Sequence, residues 1–266
     1  MRPPPIPVLP DEPAVDEIVG ARIRGYASGK GPIRILEAGC GRRWPFRFDD
    51  VDFVLTGVDL DPHALRIRQE QQRDLDEAVL GDLRSVAFER HSFDIIYSAY
   101  VLEHVPDTER VLLNFLEWIK PGGLIILKFP DRESVYGFVT RITPHWVHVL
   151  YKRYGAGNPN AGKPGFGPYP TVHEPIIGRA RFESFVRAHG LTAIEAYGYG
   201  TLPRFQRLGT RLLAALSCGR LTARYYNLMY MLESVAEAAT ASASSPLVGT
   251  EATPALRTGT NGALAR

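Results

Sequence analysis

Residues 33–41 read Ile-Arg-Ile-Leu-Glu-Ala-Gly-Cys-Gly. Ile33, Ile35 and Leu36 predict a buried strand that stops near Glu37, and two glycines follow at 39 and 41. A strand that ends in a glycine-rich bend is where an open α/β sheet leaves a crevice for a nucleotide. Glycine permits positive φ and, having no Cβ, lets a ligand approach the main chain. A second strand-like run, Phe53 to Val58, leads into Asp59-Leu60-Asp61-Pro62. An acidic residue at the end of a second strand, roughly 20 residues after the glycines, suits a ribose diol. A carboxylate offers two acceptor oxygens and a vicinal diol offers two donors. Asp59 is the candidate for that role.

Further along come Gly81-Asp82, Phe93-Asp94-Ile95-Ile96, Val101-Leu102-Glu103-His104-Val105 and Lys120-Pro121-Gly122-Gly123. Together with Glu37-Ala38-Gly39-Cys40-Gly41 and Val58-Asp59-Leu60-Asp61-Pro62, this ordered set resembles the class I S-adenosylmethionine (SAM)-dependent methyltransferases, in particular the small-molecule group. The resemblance covers residues 33–130 well and the remainder loosely. It implies an α/β, Rossmann-like, doubly wound sheet of seven strands, mostly parallel with one antiparallel strand, and SAM as cofactor. It sets Glu37, Gly39, Cys40, Gly41, Asp59, Leu60, Asp82, Leu83 and Ser98 around that cofactor, with Asp82 or its neighbours at the adenine amino group. A dehydrogenase reading of the glycines fails because Trp44 stands at the sixth position of Gly-x-Gly-x-x-Gly, too bulky for close helix–strand packing. Arg43 is a departure from the family pattern, which carries a third glycine there, and with Pro45 it predicts an irregular segment after the loop. For Cys40 the plain reading is a small residue that fits.

The chain has 266 residues, 45% of them hydrophobic, and a formal net charge of +2. That length allows one large α/β domain with an insertion, and the charge balance predicts no nucleic-acid partner. The two cysteines, Cys40 and Cys218, match neither a disulfide framework nor a zinc motif. The Pro-rich start lacks the apolar core of a signal peptide. No apolar run approaches the roughly 20 residues that span a bilayer. The expectation is a cytoplasmic protein with no stable membrane insertion. The methyltransferase domain is expected over 1–235 and a disordered, low-complexity tail over 236–266, which is too poor in apolar bulk to offset ordering entropy.

Asp11 predicts a helix cap with Pro13 just inside, and Val15, Ile18, Val19, Ile23 and Tyr26 share one face. Asp61-Pro62 opens a helix of about four turns, whose charges from Arg66 to Glu77 read as a solvated face. Val79-Leu80 and Phe93–Ser98 are the third and fourth strands. Asp107 is expected to cap the helix carrying Val111, Leu112, Phe115 and Leu116. That helix stops at Lys120-Pro121-Gly122-Gly123, and Leu124–Phe129 is a strand buried on both faces.

Residues 131–178 are a lid insertion after strand five, and long loops of this kind are functional or disordered. Phe138, Val139, Ile142, Trp146, Val149 and Leu150 read as one amphipathic helix. The insertion's aromatics favour an ordered cover where acceptor identity is set. His104, His145, His148 and His173 are candidates for a general base. His145 and His148 sit at i, i+3 without an adjacent third ligand, so no metal is expected. Beyond a sixth strand at 191–199, Phe205, Leu208, Leu212 and Leu216 form a stripe beside Arg204, Arg207, Arg211 and Arg220. That stripe is expected to pack on the body, the other reading being an anionic membrane surface. Arg224–Leu232 is the last strand. The functional expectation is O-methylation of a small-molecule hydroxyl (a phenol, sugar or lipid-linked metabolite). Methylation at nitrogen or carbon, and a SAM-binding module without turnover, remain open.

Overall fold

The computed structural model describes residues 4–163, 166–172, 174–200 and 204–234, with the side chains of 204–207 left undescribed. The predicted tail and His173 lie outside the described residues. In chain order the elements are β1 (Val8–Leu9), α1 (Glu12–Ala27), β2 (Ile33–Ala38), β3 (Phe53–Asp59), α2 (Pro62–Arg66), β4 (Glu77–Leu80), β5 (Phe93–Ala99), α3 (Thr108–Trp118), β6 (Ile119–Pro130), α4 (Val135–Ile142), α5 (His145–Leu150), α6 (Arg179–Ala188), β7 (Thr192–Tyr199), α7 (Arg204–Leu216) and β8 (Asn227–Glu233). The sheet order is β1-β7-β8-β6-β5-β2-β3-β4. All pairings are parallel except those of β8, which is antiparallel to β6 and β7. The seven expected strands are present, and the Pro-rich start adds an eighth. Its Val8 and Leu9 lie parallel to Gly198 and Tyr199 at the edge, where a neighbouring proline that cannot donate is tolerated.

From β2 the chain runs outward through β3 and β4, and from β5 through β6 in the other direction. The β2/β5 boundary is therefore the topological switch point, where such sheets hold their ligands beyond the carboxyl ends of the strands. One face of the sheet buries Leu36, Val58, Ile96, Phe115, Leu127 and Phe129. The other buries Ile35, Leu55, Ile95 and Ile126 under Val15, Val19 and Ile23 of α1. Asp11 caps α1 by accepting from Ala14 N at 3.1 Å.

Six local expectations change. Asp107 makes no side-chain cap; it adopts φ 58° before α3. Lys120–Gly123 is not a separate stop after α3 but a bend inside β6, with Gly122 at φ 73°. The helix after Asp61 is α for only five residues and continues as a π-helix over Ile67–Gln72. One of its supposedly solvated charges, Arg68, is fully buried. The lid stripe is two helices broken at Thr143-Pro144, because proline cannot extend the ladder behind it. The α7 stripe does not pack on the body: Leu208, Leu212 and Leu216 are 80%, 61% and 70% exposed. Phe205 lies among the undescribed side chains. Among the described residues no helix is long and apolar enough to cross a membrane.

Candidate active site

The carboxyl ends of β2, β3, β4 and β5 bring Gly39–Gly41, Asp59-Leu60, Asp82-Leu83 and Ser98–Tyr100 to one edge of the sheet. Gly39 N and Cys40 N both donate to Val58 O, at 2.8 and 3.0 Å, so the loop is stitched to the neighbouring strand. Asp59 Oδ2 accepts from Gly41 N and its Oδ1 from Asp61 N, both at 2.8 Å. Each carboxylate oxygen has a second lone-pair direction left for a ligand donor. Leu60 beside it is 66% exposed, and the space beyond Gly41 is open, with no atom within 4 Å of a Cβ built there.

Four of the candidate cofactor residues have structural duties behind this surface. Glu37 is buried, and its Oε2 accepts from Arg68 Nη2 at 2.8 Å. Arg68 also donates to Cys40 O at 2.8 Å and to Asp74 Oδ1 at 2.7 Å, and so ties the back of the glycine loop to the π-helix. The buried Cys40 thiol has its pKa pushed by burial to about 12. Ser98 Oγ donates to Ala38 O at 2.9 Å, and Leu83 is buried in the apolar core. Asp82 is held by its neighbour: Arg84 Nη2 donates to Oδ2 at 2.5 Å and Arg84 Nε to Oδ1 at 3.0 Å. That pairing keeps the Asp82 carboxyl below its usual range.

Residues 42–52 carry no helix, as the Arg43 and Pro45 reading anticipates. Trp44 and Phe46 turn inward and pack edge-on against Tyr97, while Arg43 is exposed. The usual crossover helix, whose N-terminus would face an anionic ligand group, is therefore missing between β2 and β3.

The histidines fall into separate places. His104 Nδ1 lies 2.7 Å from Pro170 O, and a carbonyl can only accept, so Nδ1 carries the proton and Nε2 keeps a lone pair. Burial lowers the pKa of His104, against the opposing pull of that carbonyl. Tyr169 meets its ring edge-on at 5.9 Å, and Val172 N donates to Glu103 O at 2.8 Å. Residues 169–172 are thereby tied to the segment after β5. His145 and His148 lie together on α5 with ring centroids 6.3 Å apart, and His148 Nε2 is 2.5 Å from Thr143 Oγ1. Among the described residues, no contact joins that pair to His104.

Two features escaped the sequence reading. At the same edge of the sheet, Lys128, 1% exposed, donates to Glu12 Oε1 and Asp16 Oδ1 at 2.5 and 2.8 Å. Next to it Tyr100 and Tyr199 share a hydroxyl hydrogen bond of 2.7 Å, and Asn227 Nδ2 donates to Tyr100 Oη at 3.4 Å. These groups come from α1, the residue after β5, β6, β7 and β8, and nothing in linear spacing joins them. The second is Glu103, buried and without a partner at Oε2. Its presence in a short apolar run was a visible signal.

Burial raises the Glu103 pKa from 4.5 to about 8. Folding therefore favours its protonated form. The resulting stability is present in full below about pH 4.5 and is lost as pH rises through about 8. Glu103→Gln keeps the neutral shape and should remove this loss. Melting of both proteins between pH 5 and 9 should show the variant gaining on the parent as pH rises; parallel profiles would assign Glu103 an ordinary pKa.

Residues 36–127 match the family model described as a methyltransferase domain. This match, with the SAM-dependent methyltransferases among the similar proteins below, supports a class I SAM-dependent methyltransferase family. A sterol 4-C-methyltransferase of Caenorhabditis elegans is 29% identical over 135 residues, 48% of this chain and 40% of that protein. A malonyl-[acyl-carrier protein] O-methyltransferase of Serratia marcescens is 30% identical over 118 residues, 42% of this chain and 44% of that protein. The chain thus spans less than half the length of these curated relatives. The solved structure of a SAM-dependent methyltransferase from Mesorhizobium loti matches with a TM-score of 0.51 and 16% identity, over 80% of this chain and 96% of that one. That likeness is one of fold.

SAM is the cofactor that the family and fold imply. The open space at Gly41, the spare lone pairs of Asp59 and the exposed Leu60 fit its adenosine half: Asp59 would hold the ribose diol and Leu60 would offer an apolar platform. The methyltransferase domain provides no helix N-terminus after the glycine loop for the methionine half.

Proposed function

We propose that the protein transfers the methyl group of SAM to a hydroxyl oxygen of a small molecule. Residues 1–235 serve as the catalytic domain and 131–178 as the cover over the acceptor. The observation that carries this reading is the Asp59 carboxylate, which is fixed by two backbone donors with a lone pair left on each oxygen, beside the open space at Gly41. When bound, SAM supplies an already activated methyl. The chain's task is then orientation, which can supply roughly 7–11 kcal/mol of a barrier, and proton uptake, typically worth about 10²–10⁴-fold. His104 is the preferred base. It is neutral, its Nδ1–H is held by Pro170 O, and its Nε2 is free to take a hydroxyl proton. His148 is engaged with Thr143, which leaves His145 and, outside the described residues, His173 as the other candidates. The Tyr100 hydroxyl, backed by the buried Tyr199, and the amide of Asn227 offer hydrogen bonds to a polar acceptor at the same edge.

Asp59→Ala should weaken SAM binding by about 1.5–3 kcal/mol, the loss of charge-assisted hydrogen bonds, or roughly 10–150-fold in calorimetry. Unchanged affinity would remove Asp59 from the ribose role. With methyl-labelled SAM and hydroxylated acceptor fractions, label should appear in ether or ester products. His104→Gln should cut that transfer by about tenfold or more while SAM still binds. Label found only in carbon- or nitrogen-bound methyl groups would replace the oxygen assignment. The non-helical stretch 42–52 favours a second reading, a SAM-binding module without turnover. SAM binding with no label transferred to any fraction would select it.

A further inference from the structure

The charge of this chain is segregated. Residues 135–173 and 196–232 hold nine of its 31 basic residues and none of its 29 acidic ones, leaving 22 basic and 29 acidic elsewhere. These two segments are neighbours in space. Val135 N donates to Thr222 O at 2.8 Å and Thr222 N to Glu133 O at 3.0 Å. The rings of Tyr136 and Tyr226 lie 5.3 Å apart, and α4 packs beside α7.

The same two segments carry the exposed apolar surface. Of the sixteen large hydrophobic side chains exposed among the described residues, fourteen lie between 136 and 172 or between 208 and 216. On α7, Leu208, Leu212 and Leu216 form an outward stripe at i, i+4, i+8. On the lid, Ile142, Trp146 and Tyr154 are 61%, 63% and 76% exposed. Exposed cations stand among them at Arg141, Lys152, Arg211, Arg220 and Arg224. Among the described residues none of these five forms an ion pair with a carboxylate of the chain.

We propose that this face, built from α7 and the lid helices α4 and α5, docks on the surface of an anionic lipid bilayer. Apolar side chains enter the headgroup boundary while arginines and lysines meet lipid phosphates, the arrangement of interfacial helices. Trp146, Tyr151 and Tyr154 are the residue types that favour the membrane–water boundary. A second copy of the chain is a poor occupant, since an isologous contact would set cations against cations with no carboxylate to answer them. The chain's own residues 235–266 carry two Glu and two Arg and so bring no complementary charge. A nucleic acid would answer the cations but leave Leu208, Leu212 and Leu216 unused. Docking of this kind needs no spanning helix and does not depend on methyl transfer.

The test is co-sedimentation of the full chain, without SAM, on vesicles of phosphatidylcholine alone and of phosphatidylcholine mixed with phosphatidylglycerol, at low and high salt. Binding should be at least about tenfold tighter to the anionic vesicles and should weaken with salt. Trp146 reports insertion directly, because Trp44 and Trp118 are buried at 8% and 3% exposure. Its emission should shift to the blue on the anionic vesicles, and Trp146→Phe should abolish the shift. Leu208→Asp with Leu212→Asp should abolish binding, and these exposed positions are not needed for the fold. If that pair misfolds by circular dichroism, Arg211→Glu with Arg220→Glu gives the same readout. The proposal is overturned by no binding to anionic vesicles at low salt, by equal binding to both vesicle types, or by variants that bind like the parent. It is equally overturned by tighter binding to a DNA or RNA duplex than to vesicles, or by a dimer that shields Trp146 from an aqueous quencher before vesicles are added.

Discussion

Arg68→Met should cost about 3–5 kcal/mol of stability, the loss expected when one partner of a buried ion pair is removed. Arg68 is 0% exposed and makes three hydrogen bonds, to Glu37 Oε2, Asp74 Oδ1 and Cys40 O. Methionine fills much of the same volume, so the effect comes from the groups left behind rather than from a cavity. Glu37 is the costly one. Burial works against its charge and Arg68 works for it, and without the guanidinium its carboxyl must take up a proton to stay inside. The variant should therefore lose more stability at pH 8 than at pH 5. Melting temperature should fall by roughly 6–20 °C, at 2–4 °C per kcal/mol for a domain of this size. SAM affinity should fall as well, because the Cys40 carbonyl that Arg68 holds belongs to the loop carrying Gly41. Adding Glu37→Gln should recover much of the stability, since a neutral amide does not need the cation. If the double variant is no more stable than Arg68→Met alone, the loss is one of packing and not of an uncompensated charge.

Arg68 also shows where the sequence stopped being readable. It lies in a run of Arg, Gln, Glu and Asp, and such runs are solvated far more often than not. The signal was its phase: Ala64, Leu65 and Arg68 share the buried side, so the one cation on that side needs a carboxylate, and Glu37 supplies it. The ends of β2, β3 and β5 were legible because glycine, aspartate and apolar runs each answer a local demand on backbone or ligand. The Lys128, Tyr100 and Tyr199 cluster was not, since it joins residues far apart in sequence through strand register. For α7 the period announced an amphipathic helix, yet period says nothing about whether the body offers a mate for the stripe. Leu208, Leu212 and Leu216 remain outside. The break at Thr143-Pro144 was visible as a proline but outweighed by the apolar spacing on either side of it.

Gly39→Ala should be the most damaging single methyl added to the site. Gly39 has φ 75°, a region L side chains rarely adopt. A Cβ there would lie 2.2 Å from Val101 Cγ2 and 2.8 Å from Val101 Cγ1. The two costs have different origins and can be separated. The backbone term, about 1–2 kcal/mol for left-handed geometry, is intrinsic to the residue. The steric term, typically about 1–3 kcal/mol for overpacking, belongs to the contact with the strand-five end. Val101→Ala in the same chain removes both Cγ atoms and leaves Val101 Cβ, which is 3.1 Å away. The double variant should therefore recover most of the steric part, with Val101 Cβ shifting by a few tenths of an ångström, and keep the backbone part. SAM titration decides what the glycine is for. If affinity returns with stability in the double variant, Gly39 is glycine because the ends of β2 and β5 touch at the switch point. If stability returns but SAM still fails to bind, the added methyl stands in the cofactor's own space. Gly41 is the control for that second outcome. Its φ is 54° with nothing within 4 Å of a Cβ, so Gly41→Ala carries the backbone cost alone, and any loss of SAM affinity beyond it measures how closely the cofactor approaches the loop.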